Sequence, residues 1–459
     1  MSLITRREFH HRVSAAAMTL LAAGGVVGSR VGGDAMAMAT TSASPAGARV
    51  DPKGLHGKVM CGYQGWFRSP GDGSGLGWQH YVKGDRFEPG HCTIDFWPDL
   101  SEFDDDEKFA TPFRHADGST AYAFSSQHPK TVDRHFRWMK DYGIDGVFVQ
   151  RFVVEVARPG EEGIARRDSN DVVLQHCRAS ANRHGRAYAV MYDLSGMGAG
   201  EMERVKADWR HLVDDLGFLR RDDDRQYLHH DDRPVVAVWG VGFGDRRRYS
   251  VAECDELIEF FKNDPQYGGV TLMLGVPTGW REQERDASSD RALPAVLAKA
   301  DIISPWTVGR FRNPSDVAEH AELFWQPDLN YCQGRGQTYL PVVFPGFSWV
   351  NLKGLSSDQQ IPRLGGQFLW SQYAALREMG APMVYQAMFD EIDEGTQIFK
   401  VTNDPPVGES VFRTYKGLPS DHYLWLVGQA TRMIRGEAEH RATMPLRVGS
   451  EAIQRELMG

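Results

Sequence analysis

From Lys58 onward, short apolar, β-rich runs alternate with longer segments whose apolar residues recur at i, i+3 and i+4. The runs at Val59–Tyr63, Thr93–Phe96, Gly146–Gln150, Tyr188–Tyr192, Val235–Trp239, Val270–Leu274, Val342–Phe344 and Met383–Met388 predict eight strands. Helical period predicts helices over Thr131–Tyr142, Asp171–His184, Met202–Leu216, Val251–Lys262 and Gly366–Met379, with Tyr423–Arg435 closing the chain. Alternating strands and helices imply βα units around a parallel sheet, and eight of them fit one closed (β/α)8 TIM barrel with extended βα loops. The seventh unit is ambiguous, because Ile302-Ile303-Ser304-Pro305-Trp306 also reads as a strand.

Aromatic and polar residues gather at the ends of these strands: Tyr63-Gln64-Gly65-Trp66-Phe67, Asp95 with Trp97-Pro98-Asp99, Gln150-Arg151-Phe152, Tyr192-Asp193, Trp239-Gly240 and Phe347-Ser348-Trp349. In a barrel the C-terminal strand ends share one face, where active sites of this fold sit. Aromatic rings stack on the apolar CH faces of sugars, while Asp, Gln and Arg bind hydroxyls. Tyr63, Gln64, Trp66, Asp95, Trp97, Gln150, Arg151, Tyr192, Asp193, Trp239, Trp306, Trp349 and Asp390 are the candidate substrate contacts, and Ser348 reads as a further sugar contact.

The densest chemistry follows the last strand, in Met388-Phe389-Asp390-Glu391-Ile392-Asp393-Glu394-Gly395-Thr396-Gln397-Ile398. Four carboxylates fall within five residues there. Two carboxyl groups crowded in a partly apolar site do not both ionise easily, so one serves as acid and the other as base, the division of labour of glycosidases. Glu391 and Glu394 are the candidate catalytic pair. An exposed acidic turn is the plain alternative; a calcium loop is disfavoured because the D-x-D-x-D-G spacing is absent.

Glu391-x-x-Glu394-Gly395-Thr396-x-Ile398 resembles the Glu-x-x-Glu-Gly-Thr signature of glycoside hydrolase family 99, the endo-α-mannosidases and endo-α-mannanases, with the α-1,3-glucanases of family 71 as relatives. The resemblance extends to the opening Val59-Met60-Cys61-Gly62-Tyr63-Gln64-Gly65-Trp66-Phe67 and to Leu418-Pro419-Ser420-Asp421-His422-Tyr423-Leu424. It implies a glycoside hydrolase cleaving α-linked oligo- or polysaccharide with retention. On that pattern Glu391 deprotonates the sugar 2-hydroxyl, which displaces the leaving group, and Glu394 is the general acid/base. The endo-mannosidase motif has Trp-His between its glutamates; this chain has Ile392-Asp393, and Asp390 precedes the pair. An inverting α-glucanase-like hydrolase using Asp390 or Asp393, and a non-catalytic glycan-binding barrel, are the competing expectations.

Composition changes the picture little. Of 459 residues, 61 are acidic and 52 basic, and the net charge of -9 argues against a nucleic-acid partner. Five cysteines without any C-x-x-C pair indicate neither a zinc ribbon nor a disulfide framework. Neither an organic cofactor nor a metal is called for. Thr5-Arg6-Arg7-Glu8-Phe9, an apolar stretch from Val13 to Val27 and the A-x-A sites Ala35-Met36-Ala37 and Ala37-Met38-Ala39 read as a twin-arginine-type signal peptide over residues 1–39. That expectation makes the protein an exported bacterial one, secreted or periplasmic, with the twin-arginine export machinery as its partner in transit and no membrane association after cleavage. Residues 40–57 are expected to be a disordered lead-in, 58–436 the barrel and 437–459 a C-terminal tail. Arg246–Arg248 reads as a solvated loop, Asp104–Glu107 as a surface acidic run, and His229–Asp232 as a turn on the barrel's stability face. Gly346–Val350 lacks the last glycine of a G-x-S-x-G elbow, and Gly240–Gly244 does not follow G-x-G-x-x-G.

Overall fold

The computed structural model describes residues 47–356 and 359–458. Eight parallel strands form the barrel: β1 Val59–Tyr63, β2 Gly146–Phe152, β3 Ala187–Asp193, β4 Arg233–Trp239, β5 Thr271–Val276, β6 Ile302–Pro305, β7 in the two pieces Thr338–Tyr339 and Val342–Val343, and β8 Val384–Gln386. Each strand pairs with its neighbours in chain order, and β1 pairs with both β2 and β8. Closure runs through β7, whose first piece bonds β6 and whose second bonds β8. All seven residues of β3 are buried, as expected where a parallel sheet is covered on both faces.

Helices alternate with the strands: α1 Pro129–Tyr142, α2 Glu161–His184, α3 Met202–Asp214, α4 Val251–Asn263, α5 Leu293–Leu297, α6 Pro314–His320, α7 Gln367–Glu378 and α8 His422–Ile434. Local signals set their ends. The Ser250 side chain accepts from the Glu253 amide while Glu253 reaches back, a capping box that starts α4. Gly143, at φ 76°, ends α1 in the left-handed conformation.

The sequence expectation differs from the structure in three places. Thr93–Phe96 is not a barrel strand. It lies in the long β1–α1 connection, which also carries the antiparallel hairpin Phe109–Arg114 with Thr120–Ala123, and its one pairing is the isolated bridge of Phe96 to Arg413. Ile302–Pro305 supplies the missing strand. A short apolar run buried in an irregular loop carries the same pattern as a buried strand, so periodicity does not separate them. Second, residues 47–57 of the lead-in are folded onto the barrel floor: Val50 N donates to Gly185 O at 2.9 Å, and Leu55, fully buried, donates to His230 Nδ1 at 3.2 Å. Third, the tail carries a helix, α9 Glu451–Met458, and Arg447 ahead of it clamps both oxygens of Asp421 at 2.7 and 2.8 Å.

The expected signal peptide and residues 40–46 lie outside the described residues. Among those described, no helix is long and apolar enough to cross a membrane. All five cysteines are buried free thiols.

Candidate active site at the mouth of the barrel

Strand β8 delivers the four carboxylates into a closed turn. Met388 N donates to Thr396 O at 2.9 Å, and the amides of Ile398 and Phe399 both reach Phe389 O at 3.1 Å, so the chain returns on itself around Glu391–Glu394. Gly395 permits the reversal: its φ is 66°, and a Cβ there would lie 2.9 Å from Ser348 Cβ. Glu391 has both oxygens engaged, accepting from Gln64 Nε2 at 2.5 Å and from Thr396 Oγ at 2.6 Å. Glu394 shares the turn, and its backbone carbonyl accepts from Ser348 N at 2.8 Å. Arg363 donates to the carbonyls of Gly395 and Gln397 at 2.8 and 2.7 Å, holding the far side of the turn.

Asp390 lies beneath the pair. Its oxygens accept the Gln64 and Gly65 amides at 2.8 and 2.9 Å. Burial, opposed by those amides and reinforced by Glu391, pushes its carboxyl up to about 7. Its role is to fix the β1 loop, not to meet a sugar. Asp393, fully buried, has Oδ2 3.8 Å from His80 Nδ1, and His80 Nε2 lies 3.4 Å from Glu155 Oε1. Trp66 stacks on the His80 ring with centroids 3.8 Å apart and planes 7° apart.

Strand pleat divides the remaining candidates, since successive side chains point to opposite faces. Gln150 points inward, where its Nε2 donates to Tyr385 Oη at 3.0 Å and lies 3.2 Å from Met191 Sδ. Arg151 points outward between the helices, paired with Asp171 of α2 at 2.9 Å and Asp208 of α3 at 2.5 Å. Tyr192 joins the same outer network, donating to Asp208 at 2.8 Å, whereas its neighbour Asp193 faces the interior side of β3. Tyr63 is outward too: its hydroxyl lies 2.9 Å from Nδ1 of His135 on α1, while Gln64 reaches Glu391. Arg151, Tyr192 and Tyr63 are therefore not substrate contacts.

Two further corrections come from the β1–α1 connection. Trp97 packs among Phe87, Phe113 and Phe412 and donates from Nε1 to Tyr122 O at 3.0 Å, away from the turn. Asp95 is fully buried with both oxygens bound by the β7–α7 loop, including the Ser348 hydroxyl, so neither Asp95 nor Ser348 is a sugar contact. Of the remaining aromatic candidates, Trp66 lies 5.2 Å from Phe152, Trp239 lies 5.7 Å from Trp306, and Trp349 lies 4.7 Å from Phe347. Of these rings, Trp66 reaches the carboxylate turn through His80, which it stacks on and which approaches Asp393.

Sequence reasoning missed four residues at this face. Tyr385 stands inside the barrel, 5.6 Å from the Phe148 ring and 6.3 Å from Trp306, and its alternation with outward Gln386 was the available signal. Arg247 departs from the solvated-loop reading of 246–248: it lies 4.9 Å over Trp239 and 4.8 Å over Phe243, donates to Tyr249 Oη at 2.7 Å and pairs with Asp245. Arg246 and Arg248 are exposed, as read. His80 and Arg363 sit in irregular loops with no periodicity to mark them. Among the described residues, the one cluster with metal-ligand spacing is Asp104, Asp106 and Glu107, where Lys130 and Arg134 already pair with the carboxylates.

No protein-family model and no curated protein matches the chain. Among solved structures, a GH99 endo-alpha-mannosidase from Bacteroides thetaiotaomicron matches in two structures with TM-scores of 0.57 and 0.56, at 16% identity over 83% of this chain and 98% of that one. A glycoside hydrolase-like protein matches with a TM-score of 0.52 at 13% identity, over 84% of this chain and 96% of that one. At such identity the likeness is one of fold: this chain has the GH99-like (β/α)8 barrel, over nearly the full length of both relatives.

Proposed function

We propose that this protein is a glycoside hydrolase that cleaves α-linked oligo- or polysaccharide, mannan-like or glucan-like, with retention of anomeric configuration. The observation that carries the proposal is the turn after β8. It holds Glu391 by two hydrogen bonds and carries Glu394 three residues on, at the C-terminal end of β8. The Glu-x-x-Glu-Gly-Thr pattern and the barrel shared with an endo-alpha-mannosidase support the same reading.

In the proposed mechanism a sugar stacks on the aromatic wall with its 2-hydroxyl toward Glu391. Glu391 takes the hydroxyl proton as O2 attacks C1, and Glu394 gives its proton to the departing glycosidic oxygen. Water then opens the 1,2-anhydro sugar at C1, Glu394 accepting the proton of that water while Glu391 returns its proton to O2. Two displacements at C1 leave the starting configuration. Gln64 and Thr396 serve by holding the Glu391 carboxylate in one orientation through both steps, the fixed geometry that proximity catalysis requires. Asp390, fully buried, serves by tying the Gln64 and Gly65 amides of the β1 loop to the turn.

The test is hydrolysis of a panel of α-mannans, α-glucans and aryl α-glycosides, with the first-formed anomer read by proton nuclear magnetic resonance. Cleavage with the α anomer appearing first is expected. First appearance of the β anomer would replace this mechanism by inversion, and glycan binding without any cleavage would make the barrel a binding protein. The twin-arginine signal, with a secreted or periplasmic location, is part of the proposal; replacing Arg6 and Arg7 by Lys should then abolish export.

A further inference from the structure

Asp95 connects three segments that are far apart in sequence. Its carboxylate accepts from the Ser348 hydroxyl, from Val350 N at 2.7 Å and from Asn351 N at 2.7 Å, all in the β7–α7 loop. Its own amide donates to Ile392 O at 3.0 Å, inside the carboxylate turn, and its carbonyl accepts from Arg413 N at 2.7 Å. Ser348, held by Asp95 through its hydroxyl, donates its amide to the Glu394 carbonyl at 2.8 Å. The turn is thus gripped twice by the same group: at Ile392 by the Asp95 backbone, and at Glu394 through Ser348. A buried carboxylate is costly unless it is compensated, and here three hydrogen-bond donors and the charge of Arg413 do so.

We infer that Asp95 is a positioning residue for Glu394, setting the placement of the acid/base carboxyl through Ser348. The inference rests on the hydrolase reading above and names one more residue on which the rate depends. The link is geometric: Gly395 packs directly on Ser348, where a Cβ would lie 2.9 Å from Ser348 Cβ, and the Ser348 amide holds the Glu394 carbonyl, so loosening the Ser348 loop lets the Glu394 backbone shift. Small displacements of a catalytic group are expensive, because proton transfer needs heavy atoms within hydrogen-bond reach.

Leaving-group dependence distinguishes this role from a general loss of structure. A 2,4-dinitrophenolate leaves without a proton, whereas a phenolate needs Glu394 to supply one. The sugar that the wild type cleaves is offered as its phenyl and 2,4-dinitrophenyl α-glycosides, and kcat/KM is compared for wild type, Asp95→Asn, Ser348→Ala and Glu394→Ala. Asn places an amide NH2 against the loop amides that now donate to Asp95. The expected result is a loss of roughly 100-fold on the phenyl glycoside with Asp95→Asn, within the range for a general acid, and less than about threefold on the dinitrophenyl glycoside. Ser348→Ala should show the same pattern at smaller size, and it alone decides the matter if Asp95→Asn fails to fold. Adding Asp95→Asn to Glu394→Ala should cost nothing further on the phenyl glycoside, since residues acting as a unit are non-additive. Equal losses on both glycosides, or unchanged phenyl hydrolysis in the variants, would overturn the inference while leaving the hydrolase reading intact. A wild type that cleaves neither glycoside and no glycan would instead refute the hydrolase reading.

Discussion

Replacing Arg151 by Met and its neighbour Gln150 by Ala should have opposite consequences, because the pleat of β2 sends the two side chains to opposite faces. Arg151 is fully buried and donates from Nε to Asp208 at 2.8 Å, and from Nη2 to Asp208 at 2.5 Å and to Asp171 at 2.9 Å. Burial opposes its charge, but Asp208 and Asp171 hold its pKa above the usual arginine value, so the guanidinium stays ionised. Met fills similar volume and leaves two buried carboxylates without their cation, a change that costs roughly 3–5 kcal/mol. At about 2 °C per kcal/mol that amounts to roughly 6–10 °C in Tm. Gln150 loses one neutral hydrogen bond to Tyr385 and a sulfur contact, roughly 1 kcal/mol of stability, but removes an amide from the mouth. Urea unfolding of both variants, read as a shift of midpoint at constant slope, gives the stabilities, and hydrolysis of the glycan found by the panel gives the rates. Arg151→Met should be the unstable variant with normal KM where folded, and Gln150→Ala the stable variant with raised KM. A loss below about 1 kcal/mol for Arg151→Met, or a larger one for Gln150→Ala, would refute the assignment of faces.

Other consequences are equally open to measurement. Burial pushes His135 and His320 down to about 3 and His422 to about 4, so the stability held by these neutral rings is complete above pH 6.5 and lost as pH falls toward those values, at about 1.4 kcal/mol per pH unit for each ring. Urea midpoints at pH 7, 6 and 5 should fall accordingly, and His135→Phe should flatten the dependence. Asp390 acts with the opposite sign: raised to about 7, it favours the fold fully below its unfolded pKa near 4, and that contribution is lost as pH rises through 7, so Asp390→Asn should flatten stability between pH 4 and 7. Gly395→Ala forces a β-carbon into a left-handed residue and against Ser348; it should cost roughly 1–3 kcal/mol and abolish turnover, checked by thermal melting alongside the hydrolysis assay.

The barrel was legible because it rests on a strong periodic signal. Seven of the eight expected strands overlap a strand of the barrel, and the alternation of runs with helices set their parallel order. Thr93–Phe96 failed for a definite reason: it is a buried irregular run within the 65 or so residues between β1 and α1, with a strand's composition but only the isolated bridge of Phe96 to Arg413. At the site, the glutamate pair was visible as spacing along one segment. The direction of each flanking side chain was not, since Tyr63-Gln64, Gln150-Arg151 and Tyr192-Asp193 each offered two polar or aromatic neighbours, and the choice between them depends on strand register. His80, Arg363 and the Asp95 contacts arise from loops brought together only by the closed barrel.

The most direct measurement compares wild type, Glu391→Gln and Glu394→Gln on one glycan substrate, with folding checked by thermal melting and glycan binding by calorimetry. Each isosteric amide removes one proton-transferring carboxyl, so turnover should fall by roughly 100-fold or more in both variants while binding persists. Near wild-type turnover in either variant would contradict the division of proton transfer between these two side chains.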